Sequence, residues 1–194
     1  HTMVSDMAKI DRKKAKTINL GLFYGMGKGK LSSELGLTPG QAEDLFEKYH
    51  SRVPFVKEMI ERTMKKAADV GHVRTLLGRK CRFDLFEPSR YGVHKPLPRD
   101  QAEREHGKQI RRAFTYKALN KIIQGSAADM TKRAMVDLHA EGITPHIQVH
   151  DELDCSFDSD TQKNKILDIM KNAVELQVPV KLDAEVGPSW GEAK

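Results

Sequence analysis

Apolar and polar positions follow a helical period over most of this chain and a strand period only in one short central stretch and in the last quarter. A first helix fits residues 11–25, with Asp11 as its N-cap and Gly25 just past its end. Thr38-Pro39-Gly40-Gln41 has the form of a capping box and opens a second helix that runs to about residue 49. A third fits 54–70 and stops at Gly71. Residues 72–83, with Gly78-Arg79 inside, read as a short hairpin, and 86–98, with three prolines, read as a loop facing solvent or a ligand. Residues 100–140 return to helical period, with a break expected near Gly125. Strand, turn and strand follow at 146–157, then a helix over about 161–176 and a last strand over 180–186.

The turn at 147–153 carries the first candidate chemistry. Ile147-Gln148-Val149 runs into His150-Asp151-Glu152 and resumes as Leu153, which places Asp151 and Glu152 at an exposed hairpin end. Paired carboxylates on a rigid turn suit a hard cation such as Mg²⁺ held against substrate phosphates. The tripeptide by itself also fits an ordinary solvated acidic turn.

The first helix carries the second. Arg12, Lys16, Leu20 and Tyr24 are spaced by four and form one stripe: two cations, an aliphatic side chain and an aromatic ring. That order mirrors a nucleotide, with cations for a triphosphate and a ring for a base. Read alone, the same helix also fits a basic amphipathic element whose Leu20 and Tyr24 lie in a core. Gly25-Met26-Gly27-Lys28-Gly29-Lys30 looks like a phosphate-cradling loop, but such loops open a helix after a strand, and this one closes a helix. It reads as a flexible exit, with Lys28 and Lys30 available to template phosphates.

Together the two segments resemble family A DNA polymerases. The first is similar to their nucleotide-binding fingers helix, Arg-x3-Lys-x3-(Phe/Tyr)-x3-Tyr-Gly, and the second to their His-Asp-Glu palm motif. Between them, Asn120-Lys121-Ile122-Ile123-Gln124-Gly125 resembles the family's Asn-x3-Gln-Gly segment. The resemblance covers essentially the whole chain. It implies an α+β fold: a helix-rich fingers subdomain, mainly residues 1–98, and part of the antiparallel palm sheet of a right-hand polymerase, residues 99–194. It further implies template-directed DNA synthesis, with Mg²⁺, primer-template DNA and deoxynucleoside triphosphates as cofactor and partners.

Carried over by position, the resemblance gives Arg12 and Lys16 the incoming triphosphate, with Lys16 also stabilising the leaving pyrophosphate. Tyr24 packs at the template-base position, and Gly25 lets the chain turn beside the template. Asn120 and Gln124 meet minor-groove acceptors that every correct base pair presents. Asp151 is a ligand of the catalytic metals, while His150 and Glu152 support the primer terminus and the metal surroundings. His1 matches a histidine that touches the triphosphate upstream of the fingers helix.

Two departures stand out. Leu20 occupies the position where the family carries Phe or Tyr against the incoming sugar, which implies altered sugar discrimination. The family's other metal-binding aspartate belongs to a motif upstream of the fingers, and two-metal transfer needs carboxylates on both sides of the ions. The expectation is therefore that this chain acts with an N-terminal part of the polymerase, and that an open palm-sheet edge exposes it to edge-strand dimerisation. Two other functions fit part of the pattern. One is a non-catalytic DNA-binding module on the same scaffold; the other is a single-subunit RNA polymerase, whose palm motif usually reads His-Asp-Ser.

Composition agrees. The formal charge is +6 over 194 residues, which suits a polyanionic partner. The basic surplus is densest over 99–133, where nine Lys or Arg face four acids, a run that fits a phosphate track or a solvated face. Cys81 and Cys155 show neither metal-ligand spacing nor a disulfide framework, so a reducing intracellular setting is expected: a cytoplasm, or a host cytoplasm for a phage protein. No apolar run approaches a membrane span.

Overall fold

Ala15, Ile18 and Leu22 recur three and four residues apart and are all but sealed from solvent, so one face of the first helix is core. In the computed structural model, which describes residues 5–6, 10–90 and 92–193, this helix, α1, spans Arg12–Phe23. Its first bond runs from the Ala15 N–H to the Asp11 carbonyl, as expected for an N-cap at Asp11. Its end is a Schellman motif, with the Gly25 N–H donating to Leu22 and the Met26 N–H to Gly21. Gly25 takes φ +85°, a conformation open to glycine at little cost.

Two helices complete the core under α1. Helix α2, Lys28–Leu35, contributes Leu31, and α3, Pro39–Arg52, contributes Leu45 and Tyr49. The expected capping box at Thr38 is present, with Thr38 and Gln41 side chains bonding each other's backbone N–H. Helix α4 spans Pro54–Val70, the range the sequence predicted, and Gly71 follows at φ +77°. A Cβ at Gly71 would lie 2.7 Å from the Arg112 guanidinium. That guanidinium donates to the carbonyls of Ala68 and Phe83, which ties three segments together.

His50, near the end of α3, is 9 % exposed and packs against the Phe46 and Tyr49 rings at 4.4 and 5.2 Å. Burial lowers its pKa, Lys57 lowers it further and Glu61 opposes them. The unfolded chain therefore takes up this proton more readily than the folded one, so stability is complete above the ordinary histidine pKa and falls as pH drops through it. Urea midpoints should decline below about pH 6.5, and His50→Phe should flatten that decline. Equal pH slopes in the two proteins would overturn the assignment.

The predicted hairpin forms as β1, His72–Arg74, paired antiparallel with β2, Lys80–Arg82, with Val73 opposite Cys81. Ala67, Val73, Phe83 and Ala118 make a second core beneath it. The expected loop over 86–98 needs correction. Its ends are strands, β3 (Leu85–Pro88) and β4 (Leu97–Pro98), and with β5 (Ile110–Arg112) they form an antiparallel sheet in the order β4-β3-β5. Pro88, Pro96 and Pro98 sit at strand ends or in the connection, where a missing N–H removes little from the ladder. The break expected near Gly125 also lies elsewhere. Helix α5, Arg99–His106, stops at Gly107; a 3₁₀ turn at Thr115–Lys117 follows β5, and α6 then runs unbroken over Ala118–Ala140, through Gly125.

The chain divides into two compact units. One holds residues up to 74 together with 78–122, and the other holds 75–77 and the residues from 123 onward, so the division falls within α6. In the second unit Leu138, Ile143 and Ile166 form the core, with Leu153 and Cys155 packed against it. Burial raises the Cys155 thiol pKa, as does the neighbouring Asp154, which leaves an unreactive thiol. Strands β6 (Ile147–Val149) and β7 (Glu152–Asp154) pair antiparallel, and α7 spans Asp160–Asn172, shorter than expected and capped by Ser159. The final strand expected over 180–186 does not form among the described residues. Its alternating Val180, Leu182, Ala184 and Val186 have the strand pattern, but a strand exists only when another backbone takes up its hydrogen bonds.

Candidate functional site

The two faces of α1 differ in burial. While Ala15, Ile18 and Leu22 are buried, Arg12 and Lys16 are exposed and Leu20 is 39 % exposed, so Leu20 is not a core residue. No carboxylate among the described residues pairs with Arg12 or Lys16. Tyr24, half-buried, meets Phe23 edge to face at 5.7 Å and sits beside the Gly25 turn. The four stripe residues thus lie along one side of the segment, with two cations that no described carboxylate pairs at its N-terminal end. His1, the fifth expected nucleotide contact, lies outside the described residues.

In the second unit, Val149 pairs with Glu152, which leaves His150 and Asp151 as a two-residue hairpin loop. His150 takes φ +55°, and it is one of two described non-glycine residues in that region. A two-residue loop with positive φ at its first position normally uses glycine there. Holding a histidine in that conformation costs about 1 kcal/mol, the kind of local strain that collects at functional sites. The Gln148 amide donates to the His150 carbonyl at 3.1 Å and braces the turn. Asp151 is exposed, and its carboxylate makes no hydrogen bond or ion pair with any described residue. Glu152 differs: its Oε1 accepts a hydrogen bond from the Trp190 indole N–H at 3.5 Å.

Asn120 and Gln124 lie one turn apart on α6. The Asn120 Oδ1 is sealed from solvent without a hydrogen-bond partner among the described residues. Gln124 is exposed.

The basic run is less open than its composition suggests. In the first unit Arg99 pairs with Glu103, Arg104 with Asp100 and Arg111 with Glu87, and in the second Arg133 pairs with Asp137. The cations left for phosphates are therefore fewer than the count implies. Lys28 is likewise held by Glu43, a contact that raises the lysine pKa and lowers the glutamate's.

Against known proteins, the model described as "DNA polymerase family A" matches residues 1–192. The chain belongs to that family. Among its relatives, a "DNA-directed DNA polymerase" of Pseudomonas phage M6 is 33% identical over all of this chain and 31% of its own length. The thermostable DNA polymerase I of Thermus filiformis is 37% identical over 97% of the chain and 22% of its own length. A solved structure described as the POL domain of Pol1 from M. smegmatis in complex with DNA primer-template and dNTP superposes with a TM-score of 0.68 at 26% identity, covering 92% of this chain and 31% of that one. The chain thus spans less than a third of the length of these family A polymerases. Its mixed α+β architecture, with small antiparallel sheets among helices, agrees with that neighbour. No described helix is long and apolar enough to cross a membrane.

Sequence reasoning passed over Gln148 and Trp190. Gln148 stands two residues before His150, and a side chain able to reach back to a strained turn was a readable signal. Trp190 is 38 residues from the carboxylate it holds, and nothing in the sequence joined them.

Proposed function

We propose that this chain forms the nucleotide-binding fingers, mainly residues 1–98, and the distal palm, residues 99–194, of an enzyme that adds deoxynucleotides to a primer 3′-hydroxyl under template direction. The observation that carries the reading is the α1 stripe, where Arg12, Lys16 and Leu20 face solvent on the side opposite a buried face. Cations that fold stability does not use are placed to meet a triphosphate. Lys16 neutralises charge on the departing pyrophosphate, and Arg12 orients the triphosphate. Leu20 packs against the sugar without a flat ring, and Tyr24 with Gly25 borders the template base. Asn120 and Gln124 donate to minor-groove acceptors.

Asp151 fits a Mg²⁺ ligand. Its carboxylate is exposed and unpartnered on a braced turn, and Mg²⁺ is commonly held by one or two carboxylates together with substrate phosphates. Asp151 would share the ion with substrate oxygens. When bound, Mg²⁺ supplies charge neutralisation at the phosphates and a more acidic 3′-hydroxyl. His150 supports the primer terminus, and Glu152, fixed by Trp190, shapes the surroundings of Asp151. The working setting is inside a cell, on primer-template DNA.

Steady-state primer extension tests this. In a polymerase carrying this segment, Lys16→Ala should lower kcat/KM for all four deoxynucleotides roughly ten- to hundredfold, the loss expected of one charge-assisted contact. An unchanged kcat/KM would overturn the assignment.

A further inference from the structure

Phe46, Glu47, His50 and Ser51 on α3, Lys28 at the start of α2 and Lys57 in the first turn of α4 line a cleft of about 370 Å³ in the first unit. That volume lies in the range of small-molecule sites. His50 is its unexpected member. The residue is 9 % exposed, its ring lies 4.4 Å from that of Phe46, and its Nδ1 is sealed from solvent without a hydrogen-bond partner among the described residues. A hydrocarbon ring would fill the same space against Phe46 and Tyr49 and leave no polar atom unpaired, so packing alone does not call for an imidazole here.

The charges around the cleft are unequal. The Lys28 ammonium sits 5.6 Å from the Phe46 centroid and is held by Glu43. No described carboxylate pairs with Lys57, which is exposed. Beside it, the N-cap of α4 is Val53, which offers the first-turn N–H groups no side-chain acceptor, so the positive end of that 17-residue helix adds to the lysine. The Ser51 hydroxyl is already donated to the Lys48 carbonyl. The cleft therefore presents two flat rings, an ammonium with a helix N-terminus, and in Glu47 a carboxylate acceptor. A flat base, a phosphate and a hydroxylated sugar match these three in turn.

We propose that this cleft binds a nucleoside monophosphate. The base packs against Phe46 and His50, Lys57 and the α4 N-terminus hold the phosphate, and Glu47 accepts from the ribose hydroxyls. None of Arg12, Lys16, Leu20 and Tyr24 lines the cleft, so the site is separate from the α1 stripe and stands independently of the polymerase reading.

Nuclear magnetic resonance of the full chain carrying ¹³C-labelled histidine tests it, with adenosine 5′-monophosphate added in the absence of divalent metal. The His50 ring signals, assigned by their loss in His50→Phe, should shift saturably with a Kd below about 1 mM. Adenosine and ribose 5-phosphate should each bind roughly tenfold or more weakly, and Lys57→Gln, at an exposed position, should weaken the monophosphate about tenfold. Lys16→Ala should leave the His50 response as it is. No response at His50, equal affinities for the three ligands, or undiminished affinity in Lys57→Gln would overturn the site. Loss of the response in Lys16→Ala would assign the binding to the α1 stripe and overturn it as well.

Discussion

Asp151→Asn, made in a polymerase carrying this segment, is expected to lower the single-turnover rate of primer extension on the order of a thousandfold, the scale of losing a group that stabilises transition-state charge. Asparagine has nearly the same shape, and the exposed Asp151 carboxylate makes no hydrogen bond or ion pair among the described residues, so stability should not change. Affinity for primer-template in the absence of metal should likewise hold, because the loss falls on the charge proposed to hold Mg²⁺. Glu152→Gln provides the comparison. Its Oε1 can still accept from Trp190, so its effect should be smaller, roughly tenfold, as for a group that orients a ligand. If Asp151→Asn extended primers at a rate within a few-fold of the parent, the metal would have to be held elsewhere.

Leu22→Ala is expected to destabilise the chain by about 2–5 kcal/mol, the range for emptying a leucine-sized space in a packed core. Leu22 is fully buried on the core face of α1, in one cluster with the side chains that α2 and α3 contribute. Leu20→Ala, two residues away and 39 % exposed, should cost no more than about 0.5 kcal/mol. Chemical denaturation of the two variants reads the difference directly. Similar losses would mean that α1 is rotated from the orientation described, and the assignment of Arg12, Lys16 and Leu20 to an open face would fall with it.

Much of this architecture was legible in the sequence because its punctuation is local. Pro54 and Gly71 bracket α4, Thr38 and Gln41 open α3, and Gly25 closes α1; each acts through backbone geometry within a few residues. The misread stretches depend on distant partners. Leu85–Pro88 is a strand because Ile110–Arg112 pairs with it, and prolines in the intervening segment masked that. Gly125 looked like a breaker, yet one glycine within a long helix costs only about 1 kcal/mol, which the 23-residue α6 absorbs. Residues 180–186 show the converse, strand alternation without a ladder. The candidate site divides the same way. Arg12, Lys16, Asp151 and Glu152 were readable as residue types at fixed spacing, whereas the exposure of Leu20 and the hold of Trp190 on Glu152 arise only in three dimensions.

The left-handed histidine at the tip of the β6–β7 hairpin sets a limit on engineering. Glycine at position 150 would relieve the backbone, so a screen that rewarded heat resistance alone would enrich His150→Gly. It would gain melting temperature by discarding the imidazole beside Asp151, and with it the support at the primer terminus proposed for that side chain. Thermostable variants of this chain are therefore better sought at positions such as Val70 and Leu77, exposed apolar side chains whose replacement leaves the turn untouched.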